Sequence, residues 1–147
     1  MLFPTRTMRV IESAIHECEA THAGEIRFVV EHGLHVYALL RRQSARDRAL
    51  EVFSHMRMWD TQHNNGVLIY LLLADHDVEI VADRGVHARV GGEGWEKICR
   101  EMEASFREGK FEQGVLHGIR NVGNHLVKHY PASGRAKNEI DDSPVVL

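Results

Sequence analysis

The sequence predicts an α/β fold, a three-layer α/β/α sandwich with a small mixed β-sheet that includes a β-hairpin. Three observations carry this. Helical and strand-like periodicities follow one another in the order helix, strand, helix, strand, strand, helix, helix. The apolar run 67–73 has no position suited to water, so that strand must be covered on both faces. The tight turn 74–77 then sends the chain back as an antiparallel partner.

The elements follow in order. After Pro4, apolar residues at Met8, Ile11, Ala14, Ile15 and Cys18 trace one face of a helix that ends before Gly24. The period then changes to two, with Ile26, Phe28 and Val30 on one side of a strand over 25–31 closed by His32-Gly33. Residues 34–43 fit neither period and read as an irregular connection. Ser44 with Asp47 three residues on is a helix N-cap, and Ala45, Ala49, Val52, Phe53 and Met56 line one face of the helix that follows. The turn-rich stretch 61–66 launches the buried strand 67–73, and 78–82 is its hairpin partner, ending in a turn at Asp83-Arg84-Gly85.

Two more helices close the domain. Trp95, Ile98, Cys99, Met102 and Phe106 form one stripe stopped by Gly109, and Phe111, Val115, Ile119, Val122 and Leu126 form another stopped at Tyr130-Pro131. The expected domain is 1–131. Residues 132–147 show no periodicity and are expected to form a flexible C-terminal tail.

Composition narrows the function. The chain has 147 residues, 44% hydrophobic and 27% charged, which suits one compact domain and argues against disordered and collagen-like classes. With 18 Lys and Arg against 21 Asp and Glu, it lacks the basic field of a nucleic-acid binder. Cys18 and Cys99 lack metal or redox spacing and read as reduced thiols. No signal-like or transmembrane run is present, which leads us to expect a cytoplasmic protein without a transmembrane segment. The 11 histidines invite a metal reading, but His125 and His129 at i,i+4 have no general base between them and read as a solvated helix-end pair.

Topology supplies the one constellation of interest. A right-handed crossover through the second helix makes strands 24–31 and 66–73 parallel, and the hairpin makes 77–82 antiparallel to the latter. The starts of the first two strands and the finish of the third then share a rim. Thr21, Glu25, Asp60, Asn64, Asn65 and Asp83 meet there, offering the carboxylate and amide oxygens that Ca²⁺ or Mg²⁺ prefers. The competing reading is structural: Asn64, Asn65 and Gly66 shape one turn, Asp83-Arg84-Gly85 another, and Glu25 is an exposed strand-end charge. His63, beside the Asn pair, is either a proton carrier or a turn residue. No Cys-phosphatase loop, nucleophile elbow, Walker loop or dinucleotide fingerprint occurs.

Three segments together resemble the TPM-domain family, which includes thylakoid acid-phosphatase-like and photosystem repair-like proteins and bacterial members of unknown role. They are 19–27 (E-A-T-H-A-G-E-I-R), 61–70 (T-Q-H-N-N-G-V-L-I-Y) and 80–86 (I-V-A-D-R-G-V), supported by Trp95, 106–111 and 129–131. The resemblance covers about residues 8–131, with Ala82 standing where relatives often have glycine. It implies an α/β/α sandwich, divalent-metal binding in some members, and an acid-phosphatase activity. Matched by motif, Asn65 and Asp83 become the leading site residues, with Asp60 and Glu25 behind them. The expected function is therefore Ca²⁺ or Mg²⁺ binding with hydrolysis of phosphomonoesters. Asp83, Asp60, Glu25 and Asn65 would hold the ion, Asn64 and Asn65 would orient the ligand, and His63 and Asp83 would act in catalysis. The alternative is a non-enzymatic module that binds a protein partner in membrane-protein maintenance.

Overall fold

The structure is a computed structural model and describes residues 5–34, 40–132 and 143–147. Helix α1 (Thr5–Glu19) precedes strand β1 (Glu25–Glu31), helix α2 (Ala45–His55), strand β2 (Gly66–Leu72), a 3-10 turn (Leu73–Asp75) and strand β3 (Asp77–Ala82). Helices α3 (Arg84–Val90), α4 (Gly92–Arg107) and α5 (Phe111–His129) follow, then the short strand β4 (Val145–Val146). The sheet order is β3-β2-β1-β4. Strand β1 is parallel to β2 and β4, and β2 is antiparallel to β3, so the mixed sheet with its hairpin stands as the sequence predicts.

Period-two alternation sends the two faces of the sheet into separate apolar layers. Ile26, Phe28, Val30, Val67, Ile69 and Leu71 pack with Ile11 and Ile15 of α1, Trp95 and Met102 of α4, and Val115 and Ile119 of α5. Val29, Leu68, Tyr70, Leu72 and Val81 pack on the other side with Ala49, Val52 and Phe53 of α2 and with Met58. All seven residues of β2 are buried, as its unbroken apolar run requires. Each such side chain contributes roughly 1.5–3 kcal/mol on burial, so both layers are needed to hold the sheet.

Local signals fix the ends of the elements. The Ser44 hydroxyl accepts the Asp47 N–H at 3.0 Å while the Asp47 carboxylate accepts the Ser44 N–H at 3.2 Å, the reciprocal cap read from the sequence. The hairpin turns through the 3-10 segment with His76 in the left-handed region at φ 51°. At the C-terminal end of β1, the Tyr70 hydroxyl donates to Glu31 at 2.6 Å and Arg48 donates to both Glu31 oxygens at 2.9 and 3.1 Å. Burial alone would raise the Glu31 pKa, but these donors outweigh it and hold the carboxyl below its ordinary value.

The structure departs from the sequence reading in places. The segment expected to be a turn at Asp83-Arg84-Gly85 starts helix α3 instead, with Asp83 as N-cap accepting the Arg84 N–H at 2.9 Å. The Asn64 carbonyl takes the next two amides, Gly85 at 3.0 Å and Val86 at 3.4 Å, so partners distant in sequence support this helix. Of the irregular connection expected at 34–43, residues 35–39 lie outside the described residues. Of the expected tail, 133–142 lie outside them too, and Val145–Val146 adds a strand to β1.

Candidate cation site at the strand-end rim

Backbone register brings the rim together. Glu25 pairs with Gly66, and Val67 pairs with Ala82. The Glu25 N–H donates to the Asn65 carbonyl at 3.3 Å, and the Asp83 N–H donates to the Gly66 carbonyl at 2.9 Å. Glu25, Asn65 and Asp83 thus occupy contiguous ends of β1, β2 and β3. All three are buried, with relative exposures of 2%, 0% and 9%. Glu25 is therefore not the exposed strand-end charge of the structural alternative.

The loop before β2 is built to hold Asn65. Its N–H donates to the Thr61 hydroxyl at 3.1 Å, and its side-chain NH₂ donates to the Ala23 carbonyl at 3.0 Å. The amide oxygen is the atom left over, and Asn65 Oδ1 is buried without a hydrogen-bond partner. Asp83 repeats the pattern, since Oδ1 caps α3 and Oδ2 is buried without a partner. A buried acceptor left unsatisfied costs about 1–3 kcal/mol, and more when charged. Oxygens of this kind on a carboxylate and a carboxamide, with the buried Glu25 carboxylate at the neighbouring strand end, suit a hard cation such as Ca²⁺ or Mg²⁺. Among the described residues no three His, Cys, Asp or Glu side chains are grouped to hold a metal, so an ion at this rim must draw on Asn65 and loop oxygens as well as the carboxylates.

The other sequence-derived residues sit outside this buried group. Asp60 is exposed and pairs with Arg57 at 3.2 Å. His63 and Asn64 are exposed, and Asn64 adopts a left-handed backbone at φ 51°, its carbonyl serving the amides of α3. Gly85 allows that docking, because a Cβ there would lie 2.7 Å from the His63 carbonyl oxygen and 2.8 Å from that of Asn64. Thr21 is exposed, and its hydroxyl donates to the Cys18 carbonyl at 2.6 Å. His125 packs edge-on against Trp95 with ring centroids 5.6 Å apart; burial, then His129 and Lys128, lower its pKa.

One residue beside the rim was missed as a site element. His22 is buried, accepts the Gly24 N–H on Nδ1 at 3.1 Å and places Nε2 3.4 Å from Cys18 Sγ. The neutral tautomer carrying its proton on Nε2 satisfies both contacts. Burial pushes its pKa down to about 4. The backbone bridge between His22 and Pro131 and the Ala23 N–H bond to the Tyr130 carbonyl at 2.7 Å close the 20–24 loop against the end of α5. Burial pushes the Cys18 thiol up to about 11 and the Cys99 thiol up to about 12, so neither is a ready nucleophile at neutral pH.

No curated protein matches significantly. The chain is similar to the solution structure of the BA42 protein from the psychrophilic bacterium Bizionia argentinensis, with 28% identity, a TM-score of 0.87, and coverage of 99% of this chain and 95% of that one. It shares its fold with the N-terminal domain of a P. gingivalis protein at 18% identity and a TM-score of 0.72, over 89% of this chain and 82% of that one. The family model described as the TPM domain matches residues 2–125, which contain every rim residue named above, and the chain belongs to the TPM domain family.

Proposed function

We propose that this TPM domain binds a divalent cation, Ca²⁺ or Mg²⁺, through Asp83, Glu25 and Asn65. The observation that carries the reading is the pair of buried oxygens, Asn65 Oδ1 and Asp83 Oδ2, that lack a donor at neighbouring strand ends. A cation supplies the missing electrostatic partner, and the negative charges of Asp83 and Glu25 favour it. Asp60, exposed and paired with Arg57, stands outside this buried set. When bound, such an ion would supply Lewis-acid polarisation of a phosphoryl oxygen. Exposed Asn64 would then position a phosphomonoester, and exposed His63 on the same loop would exchange a proton with it. No described helix is long and apolar enough to cross a membrane, and the two unpaired cysteines suit a cytoplasmic setting.

Metal-stripped full-length chain, titrated with CaCl₂ or MgCl₂ and followed by thermal denaturation, tests the reading. Ligand at a hundredfold excess over Kd adds about 2.7 kcal/mol to native stability, so the midpoint rises by several degrees and EDTA reverses it. Asp83→Asn should abolish the rise. No response of the wild-type chain to either ion refutes cation binding. A response to ion without cleavage of p-nitrophenyl phosphate keeps the binding and removes the hydrolysis.

A further inference from the structure

We propose that the cavity along the outer edge of β3, between that strand and α4, binds a small organic ammonium that also carries an acceptor oxygen. Asp77, Glu79 and Glu103 take the ammonium, and Trp95 takes the oxygen. None of the proposed rim ligands lines this cavity, so the inference is independent of cation binding there.

Strand β3 lies at the edge of the sheet, so side chains rather than a further strand meet its outward backbone. The Val78 N–H donates to Glu103 at 3.0 Å, and Arg46 donates to the Ile80 carbonyl at 2.7 Å. Beside these contacts is a cavity of about 520 Å³, within the range of roughly 300–1,000 Å³ typical of small-molecule sites. Its charge is unbalanced. Asp77, Glu79 and Glu103 all line it, whereas Arg46 is committed to the Ile80 carbonyl and Arg100 is paired with Glu96 at 2.9 Å. Burial, then its bond to Glu103 and the neighbouring carboxylates, raises Asp77 to about 6, and burial with Glu103 and Glu96 raises Glu79 against the pull of Arg46. Carboxyl groups crowded in this way lack a counter-charge, and a cleft that perturbs them is where a charged ligand gains most.

Trp95 supplies a second feature that does not depend on the carboxylates. Its side chain belongs to the wall of the same cavity and is 4% exposed, and its Nε1–H is buried without an acceptor. A buried donor of this kind calls for an oxygen, so the occupant combines an ammonium with a hydroxyl or carbonyl. The rest of the indole offers an apolar surface to the carbon chain that joins them. A bare metal ion fits less well. Among the described residues no three His, Cys, Asp or Glu side chains are grouped to hold one, whereas a ligand of several atoms can reach carboxyl groups that do not converge on a point.

The test uses full-length protein in EDTA at pH 7 and constant salt, so it does not depend on the rim. Ethanolamine is the probe, propylamine is the same shape without the oxygen, and both are followed by amide and indole NMR. Ethanolamine should give saturable shifts of the amides of 77–80 and 95–103 and of the Trp95 indole N–H. Propylamine should bind at least about tenfold more weakly, because a site that pairs with an oxygen rejects the analogue lacking it. Asp77→Asn with Glu103→Gln should weaken ethanolamine by at least about tenfold, and Glu79→Gln serves if that double variant does not fold. No saturable shift in wild type, equal binding of the two amines, or undiminished binding in a folded variant overturns the proposal. Without EDTA, saturable shifts of these same amides by MgCl₂ that exclude ethanolamine would make this a metal site and overturn it as well.

Discussion

Acidification should weaken this fold through His22. The side chain is 1% exposed, and burial depresses its pKa from 6.5 to about 4. The unfolded chain therefore binds a proton that the folded chain refuses between these two values. Stability contributed by neutral His22 is complete above pH 6.5 and is lost as pH falls toward 4, by about 3 kcal/mol in all. Protonation also breaks a specific contact, because Nδ1 accepts the Gly24 N–H and cannot do so while carrying a proton. Urea unfolding of wild type and His22→Gln at pH 7 and pH 4 isolates the effect. The difference in stability between the two proteins should shift by about 3 kcal/mol in the variant's favour at the lower pH. An identical pH slope for the two proteins, or NMR titration of His22 near 6.5, would rule out this role for the buried imidazole.

Other perturbations have equally definite signs. Burial, then its hydrogen bond to Glu103 and the charges of Glu79, Glu103 and Asp75, raise Asp77 to about 6. Its contribution has the opposite pH dependence to that of His22, complete below pH 3.8 and lost as pH rises through 6, so by urea unfolding Asp77→Asn should gain stability relative to wild type as pH rises from 4 to 6. Gly66→Ala should destabilise by about 1–3 kcal/mol in the same assay, because its Cβ would meet the Met58 carbonyl oxygen at 2.3 Å, where the backbone of β2 must shift to make room. Tyr70→Phe deletes the 2.6 Å bond to Glu31 and should cost about 1.5–3 kcal/mol. A double-mutant cycle with Glu31→Gln should show non-additivity, since Arg48 is bound to the same carboxylate.

What the sequence reveals depends on where each element finds its support. Helix α1, strand β1 and the Ser44 cap of α2 are local patterns, visible as spacing because the residues that define them are neighbours in the chain. The sheet around β2 follows from its unbroken apolar run and the handedness of the crossover, and that topology alone brings Glu25, Asn65 and Asp83 to one rim. Helix α3 was hidden because it buries a single side chain, Val86, and its first amides are satisfied by Asn64 some twenty residues away. Strand β4 was hidden for the same reason, since two valines carry no period and become a strand only beside β1. Asp60 ranked behind Asp83 in the sequence as a further carboxylate ligand, and it is instead exposed and paired at the surface with Arg57. His22 carried no chemical signal in a turn, and its burial comes from closure by residues 130–131.

The proposed cation site stands or falls on the buried oxygens Asn65 Oδ1 and Asp83 Oδ2. Isothermal titration of the metal-stripped chain with Ca²⁺ and with Mg²⁺, repeated on Asn65→Leu and Asp83→Asn, decides whether they hold an ion. One saturable site should appear in the wild-type chain and be lost in both variants while they remain folded. No saturable binding of either ion, or binding that persists undiminished in both folded variants, would contradict it.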